Sequence, residues 1–176
     1  MTQQQHNWAG NYAYSATRWH YPTTVEQLQE LVSQGRKLRV LGSRHSFNDI
    51  ADSPEDLISL EHFDHIEPVD PERRTVTIAG GVRYGQLCRQ LHREGYALPN
   101  LASLPHISVA GACATATHGS GDRNGNLATI VREIELVTAM PSLYPKLPDF
   151  RHLLQTYDPQ GKFRNAFLDT YIFGAP

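Results

Sequence analysis

An α+β fold is predicted from three features of this 176-residue chain. Two segments repeat apolar residues at helical spacing. Short apolar or alternating runs of strand character lie between and after them. Two stretches of Gly, Ser, Ala and His then interrupt the order with long loops. With 40% apolar and 19% charged residues the chain can build a core, and its length suits one domain, or one domain with an appendage.

The first helix begins at Thr24, which is followed three residues on by Gln27 in a capping-box pattern. Val25, Leu28, Leu31 and Val32 share one face, and Gly35 supplies the stop. Leu38 to Leu41 reads as a short buried strand entering a turn at Gly42, and Leu57 to Leu60 as a second strand. Arg74 to Ala79 alternates Thr75 and Thr77 with Val76 and Ile78, a third strand broken by Gly80 and Gly81. Tyr84, Leu87, Cys88 and Leu91 mark a second amphipathic helix closed by Gly95. Residues 103–121 are too rich in small side chains for a long regular element, with room for one short helical or extended piece at Ala112 to Thr117. Ile130 to Val137 is strand-like. From Met140 to Asp149 three prolines forbid regular structure. A helix then follows, with Asp149 as its N-cap and Phe150, Leu153 and Leu154 on one side, before a turn at Asp158 to Gly161.

Charge and composition remove several functions. Sixteen basic and eighteen acidic residues leave a net charge of −2, and the basic side chains are scattered, so no electrostatic footprint for nucleic acid is present. Cys88 and Cys113 are too few for a disulfide framework and form no C-x-x-C pair; they read as small core residues. No apolar run has the length of a membrane span, and the polar start of the chain lacks a signal-peptide pattern, so the expectation is a cytoplasmic protein. His106 and His118 lack cysteines or carboxylates at ligand spacing, so no metal site is expected. Neither G-x-S-x-G, G-x-G-x-x-G nor G-x-x-x-x-G-K-[ST] occurs, which disfavours a serine hydrolase, a Rossmann site and a P-loop.

The chemistry concentrates in two places. Arg39 to Asn48 reads as a strand running into a small-residue turn that offers backbone N–H groups and one histidine, His45. Successive N–H groups turned inward make a concavity suited to a pyrophosphate. Ser103 to Gly121 lets backbone approach a flat ligand closely. Each stretch alone is consistent with an ordinary structural turn.

Taken in order, Gly42-Ser-Arg-His-Ser-Phe-Asn48, Ser103-Leu-Pro-His-Ile-Ser-Val-Ala-Gly-Ala112 and Thr117-His-Gly-Ser-Gly121 resemble the FAD-binding domain of the vanillyl-alcohol-oxidase-type (PCMH-type) flavoproteins. Within that family the resemblance is strongest to bacterial alditol (xylitol, sorbitol) oxidases and their sugar-lactone oxidase relatives, D-arabinono-1,4-lactone oxidase among them. The opening Asn7-Trp-Ala-Gly-Asn-Tyr12 matches the same group. The resemblance implies two small α/β subdomains over residues 1–139, with residues 140–176 as a C-terminal helical tail packed on them. It implies FAD as cofactor, attached covalently through His45, whose neutral imidazole is a competent nucleophile toward the flavin 8α carbon. Val40, Leu41, Gly42, Ser43, Arg44, His45 and Ser46 would form the pyrophosphate loop. Ser103, Ser108, Gly111, Ala112, Cys113, Ala114 and Thr115 would line the flavin and its ribityl chain, with His118 in the same wall. Ser103 and His106 would face the substrate, a small polyol or sugar whose CH–OH group is oxidised with oxygen as acceptor, giving hydrogen peroxide.

The tail from Leu143 to Phe173 resembles the C-terminus of the same oxidases, yet it follows directly on Glu135 to Ala139. In the family a long region holding the substrate cap and a further piece of the FAD domain separates these segments. A cap keeps the flavin ring dry and orients substrate within reach. Slow, unselective oxidation is therefore expected. The alternatives are a non-catalytic FAD-binding module or fragment that acts with a partner chain, and a structural protein without cofactor.

Overall fold

The computed structural model describes residues 5–138, together with 152–153 and 156–157. Three parallel strands open the fold: β1 (Arg18–His20), β2 (Leu38–Leu41) and β3 (Asp56–Ser59), in the order β1-β3-β2. Helix α1 (Val25–Gln34) makes the crossover from β1 to β2. As the middle strand, β3 is buried at all four positions. Arg18 pairs with Asp56 across β1 and β3, and Leu41 with Ser59 across β2 and β3.

The strand expected at Leu38 to Leu41 stands where predicted, and the one expected at Leu57 to Leu60 is β3, set one residue earlier. At the start of α1, Thr24 accepts from the Gln27 N–H, but the Gln27 side chain reaches past Thr24 to accept from the Thr23 N–H at 2.9 Å. The box is one residue wider than the pattern predicts. β1 was not legible, because a three-residue strand shows too little alternation to separate from loop. β2 is also less buried than expected: Leu41 is inside, whereas Arg39 and Val40 are exposed. An edge strand beside an open cleft leaves one face uncovered.

Residues 63–81 form an antiparallel ribbon rather than the continuous strand predicted at Arg74 to Ala79. Glu67 N–H donates to Thr77 O, and Asp70 and Thr75 exchange backbone hydrogen bonds, but pairing is confined to isolated bridges at Ile66–Ile78 and Asp70–Thr75. Pro68 lacks the N–H that a continuous ladder would use.

Helix α2 (Tyr84–Arg93) buries Tyr84, Leu87 and Leu91. It ends as its sequence predicts: Tyr96 N–H returns to Leu91 O and Gly95 N–H to His92 O, the Schellman arrangement. The short piece expected at Ala112 to Thr117 is helix α3, set earlier at Val109–Ala114. The strand expected at Ile130 to Val137 is absent. A 3-10 turn at Leu127–Ile130 is followed by irregular chain in which Ile134 and Leu136 are 71% and 61% exposed. A β-type pattern forms a strand only against a partner strand, and among the described residues this segment has none.

Two cores result, the second made of two adjoining clusters. One joins Tyr14, Leu41 and Leu57 beneath the sheet. The other packs Tyr84, Ile107, Ala112 and Leu127 beside Val82, Leu87 and Leu91. Cys88 packs against this second core and Cys113 is half-buried near Tyr84; burial pushes both thiols above their ordinary pKa, which suits inert core groups. Of the expected tail helix, His152, Leu153, Thr156 and Tyr157 are helical and exposed. The expected N-cap Asp149, the apolar Phe150 and Leu154 and the turn at Asp158 to Gly161 lie outside the described residues.

Candidate functional site

A cleft of about 520 Å³ lies between the two units, at the carboxyl end of β2. Crevices beyond the carboxyl ends of parallel strands are where α/β folds place ligands. One wall is the turn after β2 and the other is the segment that holds α3. Of the residues singled out in the sequence, Val40, Gly42, Ser43, Arg44, His45, Ser46, Ser103, Ser108, Gly111, Ala112, Ala114, Thr115 and His118 line the cleft. Leu41 does not: its side chain enters the sheet core. Cys113 lies behind the wall. His106 also stands outside the lining, beside His45.

The two walls are locked together by small residues. Ser108 N–H donates to Ser43 Oγ at 3.2 Å. Ser108 Oγ is enclosed without a partner between two glycines. A β-carbon on Gly42 or on Gly111 would fall 2.6 Å from that oxygen, so both positions demand glycine for this approach. Behind Ser108, Val109 N–H donates to Val82 O and Tyr84 N–H to Ile107 O, fixing the wall to the start of α2.

Arg44, the residue before His45, has φ of 59°. A non-glycine residue in this left-handed region is uncommon and requires its surroundings to hold it there. The N-terminal segment does so. Trp8 N–H donates to Arg44 O at 2.8 Å, and Arg44 Nη1 donates to Gln5 Oε1 at 2.8 Å. Buried Asn7 donates from Nδ2 to Ser46 O at 2.9 Å and accepts from Tyr12 N–H at 3.1 Å. Tyr12 in turn donates its hydroxyl to Asp52 at 2.8 Å, and that bond pushes the phenol up to about 12.

Three aromatic rings meet at the end of this strap. Trp8 stacks on His45 with centroids 4.6 Å apart and on His106 at 5.7 Å, and the two imidazoles are 5.2 Å from each other. Three similar sides place both imidazoles on the same side of the indole. Phe47 meets His45 edge-on at 5.6 Å. The Nε2 atoms of His45 and His106 are both buried without a hydrogen-bond partner.

The donor set suits a dinucleotide cofactor. The lining includes the basic residues Arg39 and Arg44 and the hydroxyl residues Ser43, Ser46, Ser103 and Thr115, and the Gly and Ala positions let backbone approach the ligand. A family model described as an FAD binding domain matches residues 18–143. The chain belongs to that family. In this FAD binding domain residues 1–17, including the whole strap, precede the matched region.

The chain is 52% identical over 136 residues to the alditol oxidase of Streptomyces sp., covering 76% of this chain and 33% of that protein. It is 33% identical over 140 residues to the L-gulonolactone oxidase of Mus musculus, covering 77% and 32%. This FAD binding domain thus spans about a third of the length of the curated relatives it matches. The crystal structure of cholesterol oxidase from B. sterolicum aligns with a TM-score of 0.57 at 20% identity, over 66% of this chain and 24% of that one, and shows the shared fold.

Arg39, Leu104, Ile107 and Thr117, which fall within the two singled-out stretches but were given no role of their own, also line the cleft, and Ile50, Ala51 and Ala102 line it from outside those stretches. Alternation along β2 would not have found Arg39, since it shares a face with the core residue Leu41, and Ile50 is held beside the loop by its N–H donating to Asn48 Oδ1. Among the described residues no group of three His, Cys, Asp or Glu is placed to hold a metal, and no helix is long and apolar enough to cross a membrane.

Proposed function

We propose that this chain is the flavin-binding part of an FAD-dependent oxidoreductase of the alditol and sugar-lactone oxidase type. The observation that supports this most directly is the cleft itself, where the Gly42 to Ser46 turn and the Ser103 to His118 segment converge on one space. The turn lines the cleft with Arg39 beside it, and its backbone N–H groups would take the diphosphate. Ser103, Ser108, Ala114 and Thr115 make a wall narrow enough for a flat ring, and Ser103 faces the side from which a polyol or sugar would approach. His45 is the covalent attachment point, a nucleophile held in a half-buried ring stack. When bound, FAD supplies the redox chemistry: it accepts hydride from a CH–OH carbon and passes two electrons to oxygen, giving hydrogen peroxide.

The test is direct. The chain is incubated with FAD, freed of unbound flavin and denatured in acid. Flavin retained by the wild type and lost in His45→Ala supports attachment at His45; complete release from a wild type that had bound FAD overturns it. Xylitol or sorbitol is then added to the loaded protein under air, and peroxide in proportion to bound flavin supports the oxidase.

A second reading is an FAD-binding module that acts with a partner chain, favoured by the strand-like segment 130–137, whose Ile134 and Leu136 stand exposed without a partner strand among the described residues. Flavin that stays oxidised with every polyol tried, even without oxygen, would select it. A folded protein that stays colourless after FAD would exclude both.

A further inference from the structure

We infer that Trp8 is a positioning residue for His45, a platform that sets the imidazole for flavin attachment. The inference rests on the reading that FAD is attached at His45. It goes beyond that reading by assigning a function to a residue ahead of the matched family region.

Trp8 is 60% exposed, so burial of its own surface does not explain its place. Its backbone and its side chain both act on the attachment loop. The backbone N–H donates to Arg44 O, which helps hold the left-handed Arg44 that precedes the histidine. The indole lies nearly parallel to the imidazole of His45, at 16° and 4.6 Å. Phe47 closes the edge of that imidazole and His106 stands beside it. An imidazole stacked on one face, met at its edge and flanked by a second ring has lost most of its χ2 freedom. The Nε2 atom is shut in without a hydrogen bond, so no polar contact fixes the ring angle and the stack does.

Attachment makes the ring angle matter. One C–H bond of the flavin 8α-methyl is replaced by a C–N bond to the imidazole. The C–H proton and the imidazole N–H proton leave, and two electrons pass through the flavin ring to oxygen, giving hydrogen peroxide. The nitrogen lone pair must point at the 8α carbon for this to proceed, and small errors in such alignment cost orders of magnitude in rate.

The test uses the full chain and FAD. Total flavin bound is measured before denaturation, and the flavin retained after acid precipitation is followed with time. Trp8→Ala should bind FAD nearly as well as the wild type and attach it about tenfold more slowly or worse. Trp8→Phe, which keeps a stacking face, should recover most of the rate. In the flavin-free protein, the His45 ring protons, assigned by their loss in His45→Ala, should lie upfield under the indole and return toward ordinary positions in Trp8→Ala.

Attachment by Trp8→Ala at the wild-type rate overturns the inference and leaves the reading of His45 intact. Parallel loss of binding and attachment, with a lowered melting temperature and no rescue by Phe, reduces Trp8 to a structural residue and also overturns it. Unchanged His45 ring shifts in Trp8→Ala do the same without any flavin present. A wild type that binds FAD and releases all of it on denaturation overturns both statements together.

Discussion

Gly42 packs so closely on Ser108 that a β-carbon at position 42 would fall 2.6 Å from the serine Oγ. That contact sets the distance between the two walls of the cleft. Gly42→Ala should therefore destabilise the protein by about 1–3 kcal/mol through overpacking and weaken FAD retention. The oxygen it meets has no hydrogen-bond partner, so Ser108→Ala alone should be nearly neutral. In Gly42→Ala/Ser108→Ala the clash is relieved, and most of the lost stability should return. Additive effects in this double-mutant cycle, read by chemical denaturation, would show that the contact is not what Gly42 is for.

The acid limb of stability should depend on Asp56. Its side chain is nearly buried and receives Nε and Nη2 of Arg18, each at 2.7 Å, with His20 Nε2 also at 2.7 Å. The Arg18 hydrogen bonds hold the carboxyl well below the usual carboxylate range, opposed by desolvation and helped by His20. A depressed folded pKa means that the stabilisation is present above the unfolded value of about 4 and is lost as pH falls below it. Melting temperatures measured from about pH 6 to about pH 2.5 should drop steeply in the wild type and less steeply in Asp56→Asn. Parallel acid limbs in the two proteins would place the acid sensitivity elsewhere.

What the sequence revealed follows the physics of each element. α2 was legible because its apolar period, its stop at Gly95 and its burial all agree. The Gly42 to Ser46 turn was legible because glycine and serine clusters have few other uses beside a strand. β1 was not, since its identity depends on Asp56 thirty-eight residues away. The expectation of a strand at Ile130 to Val137 failed for a related reason: its pattern is genuine, but it is expressed only in the presence of a partner. The site divides the same way. Arg44 and His45 could be named from their loop, whereas the stack of Trp8 on His45 joins residues thirty-seven apart and exists only once the strap has folded back.

The hydroxyl of Tyr84 is buried deep in the second core. The residue is 2% exposed, and its hydroxyl has no partner stronger than the Cys113 thiol, with Cys88 also near. Burial first, then Cys113, pushes the phenol far above its ordinary pKa, so it is neutral at any working pH. Tyr84→Phe keeps the ring that anchors the second core and removes an oxygen whose polar contact is a weak one to the Cys113 thiol. Stability should be unchanged or rise by up to about 1 kcal/mol, in contrast to the loss expected for a strongly bonded tyrosine. A loss above about 1 kcal/mol by urea denaturation would mean that the hydroxyl has a stronger partner, such as bound water, in solution.

Asn7 should prove the most costly single polar residue of the strap. It is 4% exposed, and its side chain donates to Ser46 O at 2.9 Å and to Asn11 Oδ1 at 2.8 Å while accepting from Tyr12 N–H. Asn7→Ala strands one buried carbonyl and one N–H, at about 1–3 kcal/mol. The damage should also be local. Amide exchange should quicken through residues 5–14 and at 44–47, where Trp8 N–H, Asn7 Nδ2 and Asn11 Nδ2 hold the loop, while the protected core of α2 exchanges as before. Asn7→Asp separates geometry from bonding, because it keeps the acceptor toward Tyr12 N–H and loses the donor toward Ser46 O. If the strap is held mainly from the loop side, Asn7→Asp should release it almost as fully as Ala. If it exchanges like the wild type, the turn at Asn7 to Tyr12 is self-supporting and the bond to Ser46 is incidental.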